Sequence, residues 1–325
     1  MAMMRYAEAL NAALREEMTR DPSVFMFGED IGRYGGVFKV SKGLMDEFGE
    51  SRIRDTPISE QAMTAMAVTA AMTGTRPILE IMYADFIPLC MDALVNQASV
   101  FGYLWEGQVN MPFVLRTQGG GGVGTGAQHA KSLDSFLAHI PGIKVVAPVT
   151  PADAKGLLKA AIRDPQPVIF LEHKLLYNLR GEVPEGDDHI VPIGKARIVQ
   201  SGKDVSIFAT SKMVIEAEAA AKLLAKDGID AEVIDLRTLR PLDLASIKAS
   251  IAKTHHAVVV NEGWTFCGYA AELSATIMDH CFDDLDAPVM RVAMPDMPIP
   301  YSEPLELAVI PNAAKIAAAA RRALA

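Results

Sequence analysis

The sequence is short of aromatic residues, of cysteine and of positive charge. Aromatic side chains make up 6% of 325 residues, although half of all residues are hydrophobic. The core must therefore be built from Ala, Val, Ile, Leu and Met, as in α/β proteins whose parallel strands are buried on both faces. Cys90, Cys267 and Cys281 are odd in number and widely spaced. They form neither a disulfide framework nor a zinc pattern, so reduced thiols in a cytoplasmic setting are expected. No stretch of about 18 residues is apolar without charged or polar breaks, so no membrane span is expected. Met1 to Glu16 reads directly as an amphipathic helix, with no charged-then-apolar leader before it. There are 31 Lys and Arg against 40 Asp and Glu, a net charge of −9. A nucleic-acid partner would need a basic stripe, so none is expected. Gly-Lys-Ser/Thr, Gly-x-Ser-x-Gly and His-Glu-x-x-His are all missing, which leaves P-loop, serine-hydrolase and zincin chemistry without support.

What is present alternates. The pattern predicts helices over 4–18, 60–73, 85–102 and 151–163, and strands over 24–27, 77–81, 113–117, 144–147 and 168–171. Gly181, Pro184, Gly186 and a run of acids mark a linker. Beyond it, strands are expected at 205–209, 231–236, 256–261 and 288–292, with helices at 214–226, 243–253, 268–281 and 312–324. The length suits two domains. Strands alternating with helices imply parallel sheets covered on both faces. The expected division is 1–180, a linker at 181–192, and 193–325.

The stretch from Asp55 to Gly74 carries the sharpest chemical signal. Pro57 and Ser59 sit where a helix should begin, with Ser59 as N-cap, and Gly74 where it should end. No charge occurs from Ala62 to Thr73, so burial on most sides is expected. Glu60 opens this helix near its positive dipole end. It is either an ordinary first-turn acid or a carboxylate held in an apolar site to share a proton. The glycine-rich run from Gly119 to Gly126 fits G-x-G-x-x-G at Gly119, Gly121 and Gly124. The next strand ends Val146-Ala147-Pro148 with no acid for a ribose, so dinucleotide binding is not supported. Because the run leads into Gln128-His129, it is either a turning loop anchored by that histidine or a loop that aims it at a substrate. Asp283-Asp284-Leu285-Asp286 reads as a solvated face or a patch for a basic partner.

Several separated blocks accompany Glu60. They include Gly28-Glu29-Asp30-Ile31-Gly32, Tyr34-Gly35-Gly36-Val37-Phe38, Arg76-Pro77-Ile78-Leu79-Glu80, Gln128-His129, Pro141-Gly142-Ile143-Lys144 and Phe170-Leu171-Glu172-His173. In order and spacing, from about residue 4 to about residue 320, the chain resembles the β subunits of the decarboxylating component of 2-oxo acid dehydrogenase complexes, acetoin dehydrogenase included. The resemblance implies a pyrimidine-binding-type parallel α/β domain followed by a transketolase C-terminal-like α/β domain. It implies thiamin diphosphate shared with an α subunit in an α2β2 assembly. No Gly-Asp-Gly element occurs here; in the resembled family that element, which holds diphosphate and Mg²⁺, lies on the α subunit. The chain thus resembles half of an active site.

The cofactor's exocyclic amino group removes the thiazolium proton once its pyrimidine tautomerises, and this requires a carboxylic acid on the distal ring nitrogen in a dry pocket. By resemblance that acid is Glu60. Ile58, Met82 and Phe86 fall where the family lines the pyrimidine; for Met82 and Phe86 plain core packing is the alternative. His129 falls at a substrate-side histidine, followed by Ala130-Lys131 where relatives often carry Ser and a neutral polar residue. Glu29 falls in an acidic chain of waters linking two active sites. A structural K⁺ on backbone carbonyls would match Phe113, Val114, Ala161, Asp164 and Gln166. The implied reaction cleaves the bond next to a carbonyl in a small 2-oxo acid or acetoin and passes the acyl unit to lipoamide on an acyltransferase core. The alternatives are half of a transketolase-like ketol transferase and a non-catalytic assembly subunit.

Overall fold

Parallel strands organise both halves of the computed structural model, which describes residues 1–186 and 188–325. Asp187, inside the expected linker, lies outside the described residues. The chain divides into two units: Met1–Gly119 with Phe136–Ile193, and Gly120–Ser135 with Gly194–Ala325. The glycine-rich loop and His129 thus group with the second unit, although they lie between two strands of the first.

The first unit contains β1 (Ala2–Arg5), α1 (Tyr6–Arg20), β2 (Val24–Gly28), α2 (Leu44–Phe48), β3 (Ile53–Asp55), α3 (Glu60–Met72) and β4 (Arg76–Ile81). These are followed by α4 (Ile87–Asp92), α5 (Ser99–Leu104) and β5 (Val114–Gly119). After the short α6 (Asp134–Ala138) come β6 (Lys144–Val146), α7 (Pro151–Arg163), β7 (Val168–His173) and β8 (Arg180–Val183). Six strands lie in the order β6-β7-β5-β4-β2-β3, every neighbouring pair parallel. Their near-continuous apolar runs are what a sheet covered on both faces requires. In α1, Tyr6, Leu10, Ala13, Leu14 and Met18 are wholly buried at helical spacing, and the helix packs on α7. Pro151 starts α7, and the Thr150 side chain caps it by accepting from the Asp153 N–H, as helix starts favour.

Three sequence expectations change here. The helix read from Met1 begins only at Tyr6, because Ala2–Arg5 is a strand whose partner is distant in sequence. Part of the expected linker is strand: β8 pairs antiparallel with β1, from Ala2 opposite Val183 to Arg5 opposite Arg180. The partner lies at the other end of the unit's sequence, so no local pattern announces it. The single helix expected over 85–102 is a 3₁₀ turn (Ala84–Phe86), α4, a π-helical stretch (Ala93–Ala98) and α5. The apolar run is continuous, but the wider π turn shifts which residues face inward.

The second unit holds β9 (Arg197–Gln200), β10 (Val205–Ala209), α8 (Met213–Ala225), β11 (Ala231–Asp235), β12 (Thr238–Arg240) and α9 (Leu244–Thr254). Then follow β13 (Ala257–Trp264), α10 (Tyr269–Cys281), β14 (Met290–Met294), α11 (Glu303–Val309) and α12 (Ala313–Ala323). Its sheet runs β14-β13-β10-β11-β9, parallel except for β9. Sequence periodicity missed the short β9, β12 and α11. The Ala-rich α12 packs closely on α8. Among the described residues no helix is long and apolar enough to cross a membrane, and no group of three or more His, Cys, Asp or Glu is arranged to hold a metal ion.

Candidate active site

The carboxyl ends of parallel strands, where helix starts and loops converge, are the usual place for a ligand in such sheets. Glu29 follows the last residue of β2, Glu60 opens α3 just after β3, and Met82 follows β4. Register brings them together: Gly28 pairs with Asp55 on one side and with Glu80 on the other. Gly28 is required there, because a Cβ would come within 2.8 Å of the Glu80 carbonyl oxygen.

Glu60 is 7% exposed at the first position of α3. Ser59 holds the N-cap position, but its side chain makes no capping hydrogen bond. The Glu60 carbonyl accepts from the Thr64 hydroxyl at 2.8 Å and from the Cys90 thiol at 3.8 Å. The Phe86 carbonyl, 3.9 Å from the same sulfur, is the alternative acceptor for its single proton, so the buried thiol lies between the Glu60 and Phe86 backbones. Burial pushes that thiol up to about 11, which keeps it protonated. The expected burial of α3 on most sides does not hold within this chain. Met63, Thr64, Ala67, Val68 and Ala71 are buried, while Gln61, Ala62, Met66, Thr69 and Met72 form an exposed, uncharged face. Beside it lies an apolar groove of about 850 Å³ lined by Phe25, Phe27, Pro57, Met63 and Met66 among others.

Glu29 is also 7% exposed, and its Oε1 makes no hydrogen bond to the protein. Burial, then the nearby charges of Glu60, Asp30 and Glu80, raise its carboxyl to about 7. Among the described residues no basic side chain pairs with Glu29 or Glu60. With no cation beside it, the Glu60 charge adds to the cost of ionising Glu29.

The sequence reading assigned no role to the network behind this pair. Glu80 is opposite Arg116, and Gln118 opposite Glu172, across β4, β5 and β7. Because strand side chains alternate, all four share one face. Arg116, wholly buried, grips Glu172 with two hydrogen bonds (2.7 and 2.8 Å) and Glu80 with one (2.6 Å). Tyr177 donates to Glu172 at 2.5 Å, and Gln118 to Glu80 at 3.2 Å. Burial opposes the Arg116 charge, but Glu172 and Glu80 outweigh it and hold the guanidinium above its usual value. Burial likewise pushes Glu172 up while Arg116 pulls it down. Burial prevails, so the Glu172 carboxyl ends above its usual value beside a guanidinium that does not give up its proton. A lone charge inside the apolar run from Phe113 to Thr117 was the signal available in the sequence.

The other expected site residues differ in exposure. Met82 and Phe86 are half-buried, whereas Ile58 is 78% exposed. His129, half-buried, follows a 3₁₀ turn (Gly126–Gln128). The carbonyls considered for K⁺ lie at the start of β5, in the last turn of α7 and just after it. Those of Phe113, Ala161 and Asp164 already accept from the Val168 N–H, the Asp164 N–H and Arg76. Each keeps a second lone pair. Asp283, Asp284 and Asp286 are exposed, as expected of a solvated face.

Comparison with known proteins bears on this arrangement. Residues 2–180 match the family model "Transketolase, pyrimidine binding domain", and residues 194–316 match "Transketolase, C-terminal domain". A pyruvate dehydrogenase E1 component subunit beta-1 from Oryza sativa subsp. japonica is 48% identical over 98% of this chain and 86% of its own. The beta subunit of an acetoin:2,6-dichlorophenolindophenol oxidoreductase from Cupriavidus necator is also 48% identical, over 97% and 96%. A solved structure described as a split-gene transketolase, inactive beta4 tetramer, covers 99% of this chain and 98% of that one with a TM-score of 0.79. At 22% identity that likeness is one of fold. The chain belongs to the family of β subunits of thiamin-diphosphate-dependent 2-oxo acid and acetoin dehydrogenases.

Proposed function

We propose that this chain pairs with an α subunit as α2β2 and supplies the proton-handling half of a shared thiamin diphosphate site. The observation that carries the reading is the pair Glu29–Glu60: two buried carboxyls without a cation, one raised to about 7. When bound, the cofactor supplies the electron sink for cleavage next to a carbonyl. Glu60 donates a hydrogen bond to the distal nitrogen of its aminopyrimidine. Glu29 keeps a proton available beside Glu60. Ile58, Met82 and Phe86 line the ring, and the exposure of Ile58 fits a side chain that waits for a ligand or a partner chain. His129 acts on the substrate side, toward the carboxylate or the acyl unit bound for lipoamide on an acyltransferase core. The α subunit holds Mg²⁺, in line with the missing Gly-Asp-Gly. A K⁺ on the carbonyls of Phe113, Val114, Ala161, Asp164 and Gln166 belongs to the same proposal, read as a higher thermal midpoint in K⁺ than in Na⁺. Pyruvate, other small 2-oxo acids and acetoin all fit this chemistry. The free cysteines suit a reducing, cytoplasmic setting.

The test is Glu60→Gln, reconstituted with the α subunit. Cofactor binding should survive, while hydrogen–deuterium exchange at the thiazolium carbon slows at least ~100-fold, the low end for one proton-transfer group. Exchange at the wild-type rate would remove Glu60 from this role.

A further inference from the structure

The loop that carries His129 is gripped by two carboxylates that the proposed reaction leaves unused. Glu306, on α11, is wholly buried. One of its oxygens accepts the Gly122 N–H at 2.9 Å and the other the Gly124 N–H at 3.0 Å. Glu262, in β13 and 5% exposed, accepts the Gly121 N–H at 2.6 Å. Gly122 and Gly124 have φ of +90° and +71°. Glycine adopts such angles readily, and successive amides can then form a concave nest for an anion. Gly126 lies against the Tyr301 ring so tightly that a Cβ would come within 2.4 Å of it. The loop also closes on itself. Gly120 N–H donates to the Lys131 carbonyl at 3.2 Å, and the Thr125 hydroxyl donates to the carbonyl of His129 itself at 3.0 Å. Among the described residues no basic side chain pairs with Glu306. A buried carboxylate without a cation is costly unless its hydrogen bonds are strong, and these run to the loop alone.

Resting on the substrate-side role proposed for His129, we propose that Glu306, seconded by Glu262, is the positioning residue that fixes the loop and so presents the His129 imidazole to substrate. The route is short: Glu306 holds the amides of Gly122 and Gly124, Thr125 follows, and Thr125 holds His129. α11 thereby acts as a clasp on a segment about 180 residues earlier in the sequence.

Glu306→Gln keeps the shape, removes one acceptor and turns an N–H₂ toward a backbone N–H. In the enzyme reconstituted with its α subunit, exchange at the thiazolium carbon should stay at the wild-type rate. Turnover should fall about 10-fold or more, the scale of one charge-assisted hydrogen bond. The double variant Glu306→Gln/His129→Ala should be no slower than His129→Ala alone, since both act through one group. Amide exchange at Gly122 and Gly124 should quicken. Glu262→Gln should move the same readouts in the same direction by less, and replaces Glu306→Gln should that chain fail to assemble. Normal turnover of Glu306→Gln beside an impaired His129→Ala, or losses that multiply in the double variant, would overturn the proposal. Normal turnover of His129→Ala would instead bring down the reading of His129 and this proposal with it, leaving the Glu60 result untouched.

Discussion

Two groups of buried acids sit side by side in the first unit, and they are built on opposite terms. Glu80 and Glu172 share a guanidinium, a tyrosine hydroxyl and a glutamine amide. Among the described residues Glu29 and Glu60 have no cation, and one Glu29 oxygen has no hydrogen-bond partner. The first arrangement fixes its acids, because each is hydrogen-bonded to the buried Arg116 guanidinium and to a neutral donor. The second leaves a proton to be held, because two carboxylates cannot both ionise cheaply there. A buried acid with a full set of partners belongs to the scaffold, and one left short of partners is placed to do chemistry. Glu306 is a third case, in which loop amides replace the cation.

The comparison can be broken first on its scaffold side. Arg116→Met would leave Glu80 and Glu172 buried without their cation. We expect a loss of about 3–5 kcal/mol, as for other broken buried ion pairs, measured by urea denaturation. In contrast, Glu60→Gln should change stability by less than about 1 kcal/mol, although it slows proton exchange ~100-fold. A large stability loss in Glu60→Gln would erase the distinction.

A pH series sharpens it further. Glu29 is raised from an ordinary 4.5 to about 7. The folded state therefore holds this proton more tightly than the unfolded chain does. Folding suffers nothing from Glu29 below pH 4.5 and loses stability as pH rises toward about 7. Glu29→Gln should remove that slope, so that its advantage over wild type grows across the same window and then levels off. Parallel urea midpoints for the two proteins would contradict this. The smallest effect belongs to the outer face of α3. Met66 is 58% exposed, so Met66→Lys should shift the chain's own stability by about 0.5 kcal/mol or less. The same change should weaken association with itself and with an α subunit, measured by analytical ultracentrifugation, because it charges an otherwise uncharged surface.

The residues differ in how far the sequence disclosed them. Glu60 was legible because an acid followed by a dozen uncharged residues is a local pattern. The alternation of strands and helices was legible for the same reason. Its errors fell on short elements such as β1, β3, β8, β9, β12, α2 and α11 and on the π-helical stretch, which are too brief for a period or depend on a distant partner or phase. Glu29 could be singled out only by resemblance, since its raised carboxyl depends on burial and on Glu60 and Glu80 arriving from α3 and β4. Arg116 showed as a charge in an apolar run, but its partners follow from register across β4, β5 and β7. Glu306 left no trace at all, because the amides it holds lie about 180 residues away.

The proton attributed to the Glu29–Glu60 site can be observed directly. An infrared difference titration of the chain should show one protonated carboxyl ionising with a midpoint near 7. It should be missing in Glu29→Gln, and its midpoint should move down in Glu60→Gln, where the neighbouring charge is gone. If no carboxyl that titrates near 7 in the wild-type chain is lost in Glu29→Gln, the site stores no proton at neutral pH and its distinction from the Arg116 network fails.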